Sequence, residues 1–140
     1  MKIDGYKCYN INRDNVKGGG VSTSYVNSDA PNVLKVLEGK RNELVVTRID
    51  KFLKPINVIN IYGKQECRTR REDLEEDWKE VLDILVKIET LEEESLLVGD
   101  MNSHIGDLVK HNQDKVSVGG ALIRDLVSSD KYKLVNALDI

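Results

Sequence analysis

Two aspartates, an asparagine and a histidine follow one another closely in the stretch LLVGDMNSHIGD, residues 96–107. Asp100 comes directly after Gly99 at the end of an apolar run, and Asn102 lies two positions later. A carboxylate can orient or deprotonate a water molecule, and a carboxamide can donate hydrogen bonds to a phosphate oxygen without adding negative charge. The pattern favours hydrolysis of a phosphate ester. Asp, Asn and Gly also form ordinary turns after strands, so the residue types alone leave both interpretations open.

Two further side chains are candidates for the same chemistry. Tyr62 ends the β-branched run INVINIY, where its hydroxyl could reach a phosphate, although half-buried tyrosines are also common in strands. His104 follows Asn102 closely enough to be a candidate phosphate contact or a residue that stabilises the loop. The triple glycine at residues 18–20 lacks the GK[ST] ending of a phosphate loop, so we expect a turn there instead.

Strands must position these residues, and the first half of the chain is rich in strand signals. Runs with many Val, Ile, Thr and aromatic residues predict strands at residues 5–11, 21–26, 33–37, 43–49 and 56–62. Residues 51–55 separate the last two runs at a hairpin distance.

The hydrophobic period changes from residue 69 onward. Apolar residues then follow a 3.6-residue period, which predicts a helix over residues 69–89 with Leu74, Trp78, Val81, Leu82, Leu85 and Ile88 on one face. Thr69 and Glu72 have the spacing of a capping box, which predicts the helix start at Thr69.

The rest of the chain predicts a strand, a helix and a strand. The apolar run at residues 94–99 does not alternate, which favours a strand buried on both faces. A second helix is predicted at residues 120–128 and a closing strand at 133–138. This order predicts one α/β domain over residues 1–140 with a mixed sheet, without repeats or linkers.

Composition excludes some classes of protein. The 140 residues carry a formal net charge of −3, which argues against binding duplex nucleic acid by bulk charge alone. The two cysteines, Cys8 and Cys67, have no metal-ligand or redox spacing. No apolar run has the length of a membrane span or a signal peptide. We expect an intracellular protein, nuclear or cytoplasmic and not secreted, with no membrane partner.

The motifs together indicate a protein family more specifically than any single motif does. The segments VINIYG, LLVGDMNSHIGD, GGALIRDLV and YKLVNA, with an amphipathic helix after the first, occur in an order that resembles the endonuclease/exonuclease/phosphatase superfamily. The nearest resemblance is to the endonuclease domain of non-LTR retrotransposon reverse-transcriptase polyproteins and to their craniofacial-development-protein-2-like relatives. The stretch NRDNVKGGGVSTSYV matches an early region of that family, in which a Gly-rich turn precedes a strand.

The resemblance implies a deoxyribonuclease-like fold, a two-sheet β-sandwich flanked by helices, of which this chain would be an incomplete middle part, truncated at both ends. It implies Mg²⁺-dependent phosphodiester hydrolysis, with DNA as the partner. Asp100 would orient or deprotonate the attacking water, and Asn102 would hydrogen-bond the phosphate. Tyr62 would contact the scissile phosphate or help to position the metal shell. His104 occupies a position where retroelement relatives often have His, and no firm role is assigned to it.

The chain also departs from the family pattern. Nothing before Tyr6 matches the strand that ends in the metal-binding Glu, and no Asp-His or Glu-His pair occurs in the sequence. Because such groups act as one catalytic unit, we expect this chain to be inactive or weakly active and to bind Mg²⁺ weakly. A non-catalytic α/β interaction module and a non-functional gene fragment are the alternatives. Lipid or sugar phosphates remain open as substrates, since the same core serves them in the superfamily.

Overall fold

The computed structural model describes residues 3–11, 21–26, 32–108 and 114–135. The secondary structure is α/β, as predicted. The strands are β1 (Tyr6–Ile11), β2 (Val21–Val26), β3 (Val33–Glu38), β4 (Glu43–Ile49), β5 (Ile56–Tyr62) and β6 (Glu94–Asp100), and the helices are α1 (Arg71–Thr90) and α2 (Val118–Ser128). Short 3₁₀ turns occur at Glu66–Arg68 and Gly106–Leu108.

Parts of two predicted features fall outside these residues. The glycine turn at residues 18–20 is not among the described residues. The closing strand predicted at residues 133–138 is described only over residues 133–135, and these residues form no strand. Its second half, residues 136–138, lies outside the described residues.

The chain divides into two compact units. The first comprises Met1–Gly63 and Glu80–Asp100, and the second comprises Lys64–Lys79 and Met101–Ile140. All six named strands belong to the first unit, and α2 belongs to the second. That residues 1–140 form a single domain stays a prediction.

The first unit contains two sheets and residues 80–90 of α1. β1 and β2 form an antiparallel pair, and the second sheet has the strand order β3-β4-β5-β6. β3, β4 and β5 are antiparallel neighbours, whereas β5 and β6 run parallel. The predicted hairpin between residues 43–49 and 56–62 and the predicted mixed sheet are therefore confirmed.

Side chains between the two sheets form one core of the first unit. Tyr9 of β1 packs with Val33 and Val45, and its hydroxyl donates a hydrogen bond of 2.9 Å to the carbonyl oxygen of Val33. The hydroxyl of Tyr25 lies 2.7 Å from Oγ1 of Thr47, which has no exposed surface. Both tyrosine hydroxyls have a hydrogen-bond partner, so their burial carries no penalty for an unpaired hydroxyl.

Helix α1 has the apolar face that its period predicts. Leu74, Trp78, Val81, Leu85 and Ile88 are all buried, and Leu82 is partly buried. The predicted start was wrong, because α1 begins at Arg71 and Thr69 is the extended residue that ends the 3₁₀ turn Glu66–Arg68. The 3₁₀ turn ends directly before Thr69, so Thr69 follows it in an extended conformation and the helix starts two residues later.

The prediction that residues 94–99 are buried on both faces was also wrong. Within the described residues β6 is the last strand of its sheet, and Leu96 retains 45% of its surface exposure. A strand with one neighbour receives less cover than a central strand such as β4 or β5. Its apolar run therefore does not imply burial on both sides.

Among the described residues, neither helix combines the length and apolar character that a membrane crossing requires.

Candidate functional site

Tyr62 and Asp100 lie side by side in the first unit. They are partners in the parallel register of β5 and β6, and each is the last residue of its strand. The backbone N–H of Gly63 donates a hydrogen bond of 2.7 Å to the carbonyl oxygen of Asp100, so the two chain segments stay together just beyond the strands. The pairing places a phenol and a carboxylate at one carboxyl edge of a sheet, where ligands of open α/β sheets bind.

The two side chains differ in their access to solvent. Asp100 is exposed, and Tyr62 is partly buried. An exposed carboxylate can meet water and a substrate without a movement of the backbone. A partly buried tyrosine is held by its surroundings and can present its hydroxyl in a fixed place.

Gly99 allows β6 to reach this position. Its φ of +122° lies in a region that side chains with a Cβ rarely adopt, and a Cβ there would lie 2.0 Å from the carbonyl oxygen of Ile61. Gly99 and Ile61 are register partners one step before Asp100 and Tyr62. The glycine therefore lets the backbones of β5 and β6 approach closely at the candidate site.

Asn60 is a residue of this region to which the sequence assigned no role. Its Nδ2 donates to the carbonyl oxygen of Ser22 at 2.9 Å and to Oγ1 of Thr23 at 3.0 Å, so it ties β5 to β2 of the other sheet. Its Oδ1 lies 3.0 Å from the place of a Cβ on Gly99. The signal that could have found it is its spacing, two residues from Tyr62 and thus on the same face of β5.

Asn102 and His104 belong to the second unit. Asn102 has a φ of 46°, which is the left-handed conformation that asparagine tolerates better than most residues, and it is partly buried. The backbone of His104 is held by Ser117, because Oγ of Ser117 accepts from the His104 N–H at 3.0 Å and the Ser117 N–H donates to the His104 carbonyl oxygen at 2.9 Å. The side chain of His104 is exposed.

The start of α2 is built around this loop. Ser117 caps α2 by accepting from the N–H of Gly120 at 3.1 Å. A Cβ on Gly120 would lie 1.8 Å from the His104 carbonyl oxygen, and one on Gly119 would lie 2.3 Å from the Trp78 ring. The glycine pair in GGALIRDLV is thus explained by close packing in the second unit.

The second aspartate of the loop is already paired with a cation. Nη1 of Arg124 donates to Oδ1 of Asp107 and to the carbonyl oxygen of Ile105. The hydrogen bond from Arg124, strengthened by its positive charge, holds the pKa of Asp107 below its usual value. Asp107 is therefore a structural partner of α2 and a weaker candidate for chemistry than Asp100.

A metal site needs several ligand side chains close together. Over residues 3–11, 21–26, 32–108 and 114–135, no group of three or more His, Cys, Asp or Glu side chains has an arrangement that could hold a metal ion. Asp100 could supply one oxygen ligand, and a hard cation such as Mg²⁺ takes about six oxygen ligands, several of them water. The described side chains do not fit a complete magnesium site.

No model of a known protein family matches this chain, and no curated protein sequence matches it at a significant level.

Proposed function

We propose that this chain carries part of a phosphodiesterase site of the endonuclease/exonuclease/phosphatase kind, with DNA as the substrate. The observation that supports the proposal is the pairing of Tyr62 with Asp100 at the carboxyl ends of two adjacent parallel strands. In sequence these residues lie in VINIYG and LLVGDMNSHIGD, two of the segments on which the resemblance rests. In space they are register partners, which is what a shared substrate would need.

Each residue would have a separate role in hydrolysis. The exposed carboxylate of Asp100 would accept a hydrogen bond from the attacking water, orient it and take its proton. The hydroxyl of Tyr62 would donate a hydrogen bond to an oxygen of the scissile phosphate. Asn102 would donate from its amide to a phosphate oxygen as charge develops there. This role of Asn102 rests on the resemblance, and His104 keeps no firm role.

Mg²⁺ enters the proposal through the resemblance alone. When bound, the ion would polarise a phosphoryl oxygen and stabilise the leaving oxyanion. Since the described side chains do not form a complete set of ligands, we assign them no step that requires the ion. We expect only weak binding of Mg²⁺ by this chain.

The expected activity is low. The 140 residues contain no Asp-His or Glu-His pair that could position a phosphate and protonate a leaving group. The effects of removing individual residues of such a catalytic unit are strongly non-additive, so the loss of one residue removes most of the rate. We therefore expect traces of hydrolysis above the uncatalysed level.

Nicking of supercoiled plasmid DNA by the purified chain in the presence of Mg²⁺ tests the proposal. We expect slow nicking that requires Mg²⁺ and that disappears in both Asp100→Asn and Tyr62→Phe. Asp83→Asn is the matched control, because Asp83 is an exposed aspartate of α1, outside the candidate site, and should leave the rate unchanged.

Three results would contradict this expectation. Nicking that persists in Asp100→Asn would remove Asp100 from the proposed chemistry. A complete absence of nicking at high protein concentration would favour the non-catalytic interaction module. Robust nicking that Asp100→Asn abolishes would keep the site and overturn the expected weakness.

A further inference from the structure

A cavity lies among residues of the four-stranded sheet and the second half of α1. It has a volume of about 280 Å³, and all of its lining residues belong to the first unit. Protein interiors contain few voids larger than one water molecule, whose share of liquid volume is about 30 Å³. This space is therefore a departure from close packing, which an apolar occupant would remove, because most of its lining is aliphatic. The aliphatic residues are Val36, Leu37, Val46, Ile84, Ile88 and Leu91.

The cavity is open to solvent on one side. Val36 on β3, the first strand of its sheet, is 49% exposed, and Leu91, directly after α1, is 60% exposed. Val46, Ile84 and Ile88 are buried and form the deeper part of the lining. A small molecule could therefore enter beside Val36 and Leu91 and cover apolar surface that water now contacts.

Most polar groups of the lining are paired with one another. Glu93 accepts hydrogen bonds from Nε and Nη2 of Arg48 at 3.0 and 2.7 Å and from Nδ2 of Asn57 at 2.7 Å. Nη1 of Arg48 also donates to Asp50 at 3.2 Å. The charges of Arg48 and Glu93 therefore offset each other, and this carboxylate already has three donors.

Lys87 is the other charged residue of the lining. It lies three residues after Ile84, on the same side of α1. Its side chain is exposed, and its ammonium has no ion-pair partner within the described part of the chain. A lysine stem can cover apolar surface while its ammonium stays in water. The cavity thus combines an aliphatic interior with one positive charge that no carboxylate offsets.

We propose that this cavity binds a small aliphatic carboxylate, with its chain among the aliphatic side chains and its carboxylate at the ammonium of Lys87. The volume favours a small ligand, because pockets for drug-sized molecules start at about 300 Å³. The charge favours an anion, because Glu93 is already paired with Arg48. Asn57 and Glu93 lie at the starts of β5 and β6, whereas the candidate site lies at their ends, so this proposal does not depend on the proposed hydrolysis.

Titration of the purified chain with octanoate, followed by NMR of its Ile, Leu and Val methyl groups, tests the proposal. We expect saturable shifts of the methyl groups of Ile84, Ile88 and Leu91, with a Kd of about 10⁻³ M for a ligand of about ten heavy atoms. From butanoate to octanoate, each added methylene should improve the affinity about fourfold. The gain should stop at the chain length that fills the cavity.

Lys87→Met removes the positive charge and keeps an apolar side chain of similar length. It should weaken octanoate binding about two- to fivefold, which is the range for an exposed ion pair, and leave the affinity for the neutral octan-1-ol unchanged. Lys79→Met is the matched control, because Lys79 is an exposed lysine of α1 that does not line the cavity.

Val36→Phe places a larger side chain at the opening of the cavity. Because Val36 is half exposed, the ring can be accommodated without disruption of the core. The variant should weaken binding of both octanoate and octan-1-ol by at least about tenfold, since the ring takes the space of two or more methylenes. Leu34→Phe is the matched control, because Leu34 is exposed on the same strand and does not line the cavity. The methyl spectrum without ligand shows that each variant is folded.

Several results would overturn the proposal. One is the absence of saturable methyl shifts at octanoate concentrations about tenfold above the expected Kd. Another is octanoate binding that Val36→Phe leaves unchanged, which would place the ligand elsewhere. If Lys87→Met weakens octanoate no more than Lys79→Met does, or weakens octan-1-ol equally, the carboxylate is not recognised by Lys87 and the cavity takes a neutral apolar ligand instead.

Discussion

Gly99 has a backbone φ of +122°, and a methyl group on its Cα would lie 2.0 Å from the carbonyl oxygen of Ile61. The residue at position 99 must therefore adopt a positive φ, and it must also lack a Cβ. Both follow from the close approach of β5 and β6 at the step before Tyr62 and Asp100. The residue before the candidate carboxylate is thus constrained by the geometry of the strand pair.

We predict that Gly99→Ala lowers the free energy of unfolding by about 2–4 kcal/mol, since backbone strain and steric overlap act together. Urea unfolding of the variant would measure this loss. Gly5→Ala is the control, because Gly5 has a φ of +81° with no atom within 4 Å of its Cβ position, so it reports strain alone. A loss in Gly99→Ala no larger than that in Gly5→Ala would contradict the steric part of the argument.

Among the elements, α1 is tied to the turn between β3 and β4 by one carboxylate. Glu80 accepts from the backbone N–H of Lys40 at 2.6 Å and from the N–H and Nδ2 of Asn42 at 3.0 and 2.8 Å. Burial raises the pKa of Glu80. The hydrogen bonds from Lys40 and Asn42, together with one from the N–H of Arg41, lower the pKa by more, so it lies below its ordinary value of 4.5. The anion thus satisfies several backbone donors of the turn at once.

We predict that this tie stabilises the fold above the ordinary pKa of glutamate and weakens as the pH falls through the lowered pKa. The folded state favours the ionised form, so protonation costs stability on the acid side. Glu80→Gln should therefore lose about 1.5–3 kcal/mol near neutral pH, and less in acid. Urea unfolding at several pH values would measure the difference.

Asp83→Asn provides the control for Glu80→Gln, because Asp83 is exposed on the same helix. Its effect should stay within about 0.5 kcal/mol at every pH. A loss in Glu80→Gln that is the same at neutral and acid pH would show that the side chain acts through packing and not through its charge.

The net charge of the whole molecule limits how strongly it can bind nucleic acid. The chain has 21 Lys and Arg against 24 Asp and Glu, so its long-range field does not attract a polyanion. DNA as a substrate would have to be held by local contacts at the site. A nuclease of this composition would act on DNA that it binds only briefly.

We predict weak binding to duplex DNA, with a Kd near the weak limit of non-specific binding, about 10⁻⁴ M at physiological salt. Fluorescence anisotropy of a labelled duplex would measure it. The control is to repeat the measurement at several salt concentrations. Few phosphate contacts predict that the affinity for DNA depends only weakly on the salt concentration. A Kd near 10⁻⁸ M, which is typical of specific DNA-binding proteins, would contradict the argument from charge.

Much of the secondary structure was predictable because it depends on local pattern. The bounds of β4 and β5 match the two β-branched runs, and the buried face of α1 matches its 3.6-residue period. Errors occurred where a local pattern competes with its surroundings. Thr69 follows a 3₁₀ turn in an extended conformation and does not begin the helix. Leu96 is 45% exposed because its strand has a single neighbour among the described residues.

The sequence by itself determined which side chains are candidates for chemistry and where in the secondary structure they fall. Tyr62 ends one predicted strand and Asp100 directly follows another, because the apolar runs end there. The catalytic roles of Asp100, Tyr62 and Asn102 stay predictions, as does the phosphate contact of His104. The tertiary structure decided that Tyr62 and Asp100 are neighbours, that Gly99 must be glycine and that Glu80 serves a distant turn. These facts depend on which segments pair and in which register, and pairing between distant segments leaves no local period in the sequence.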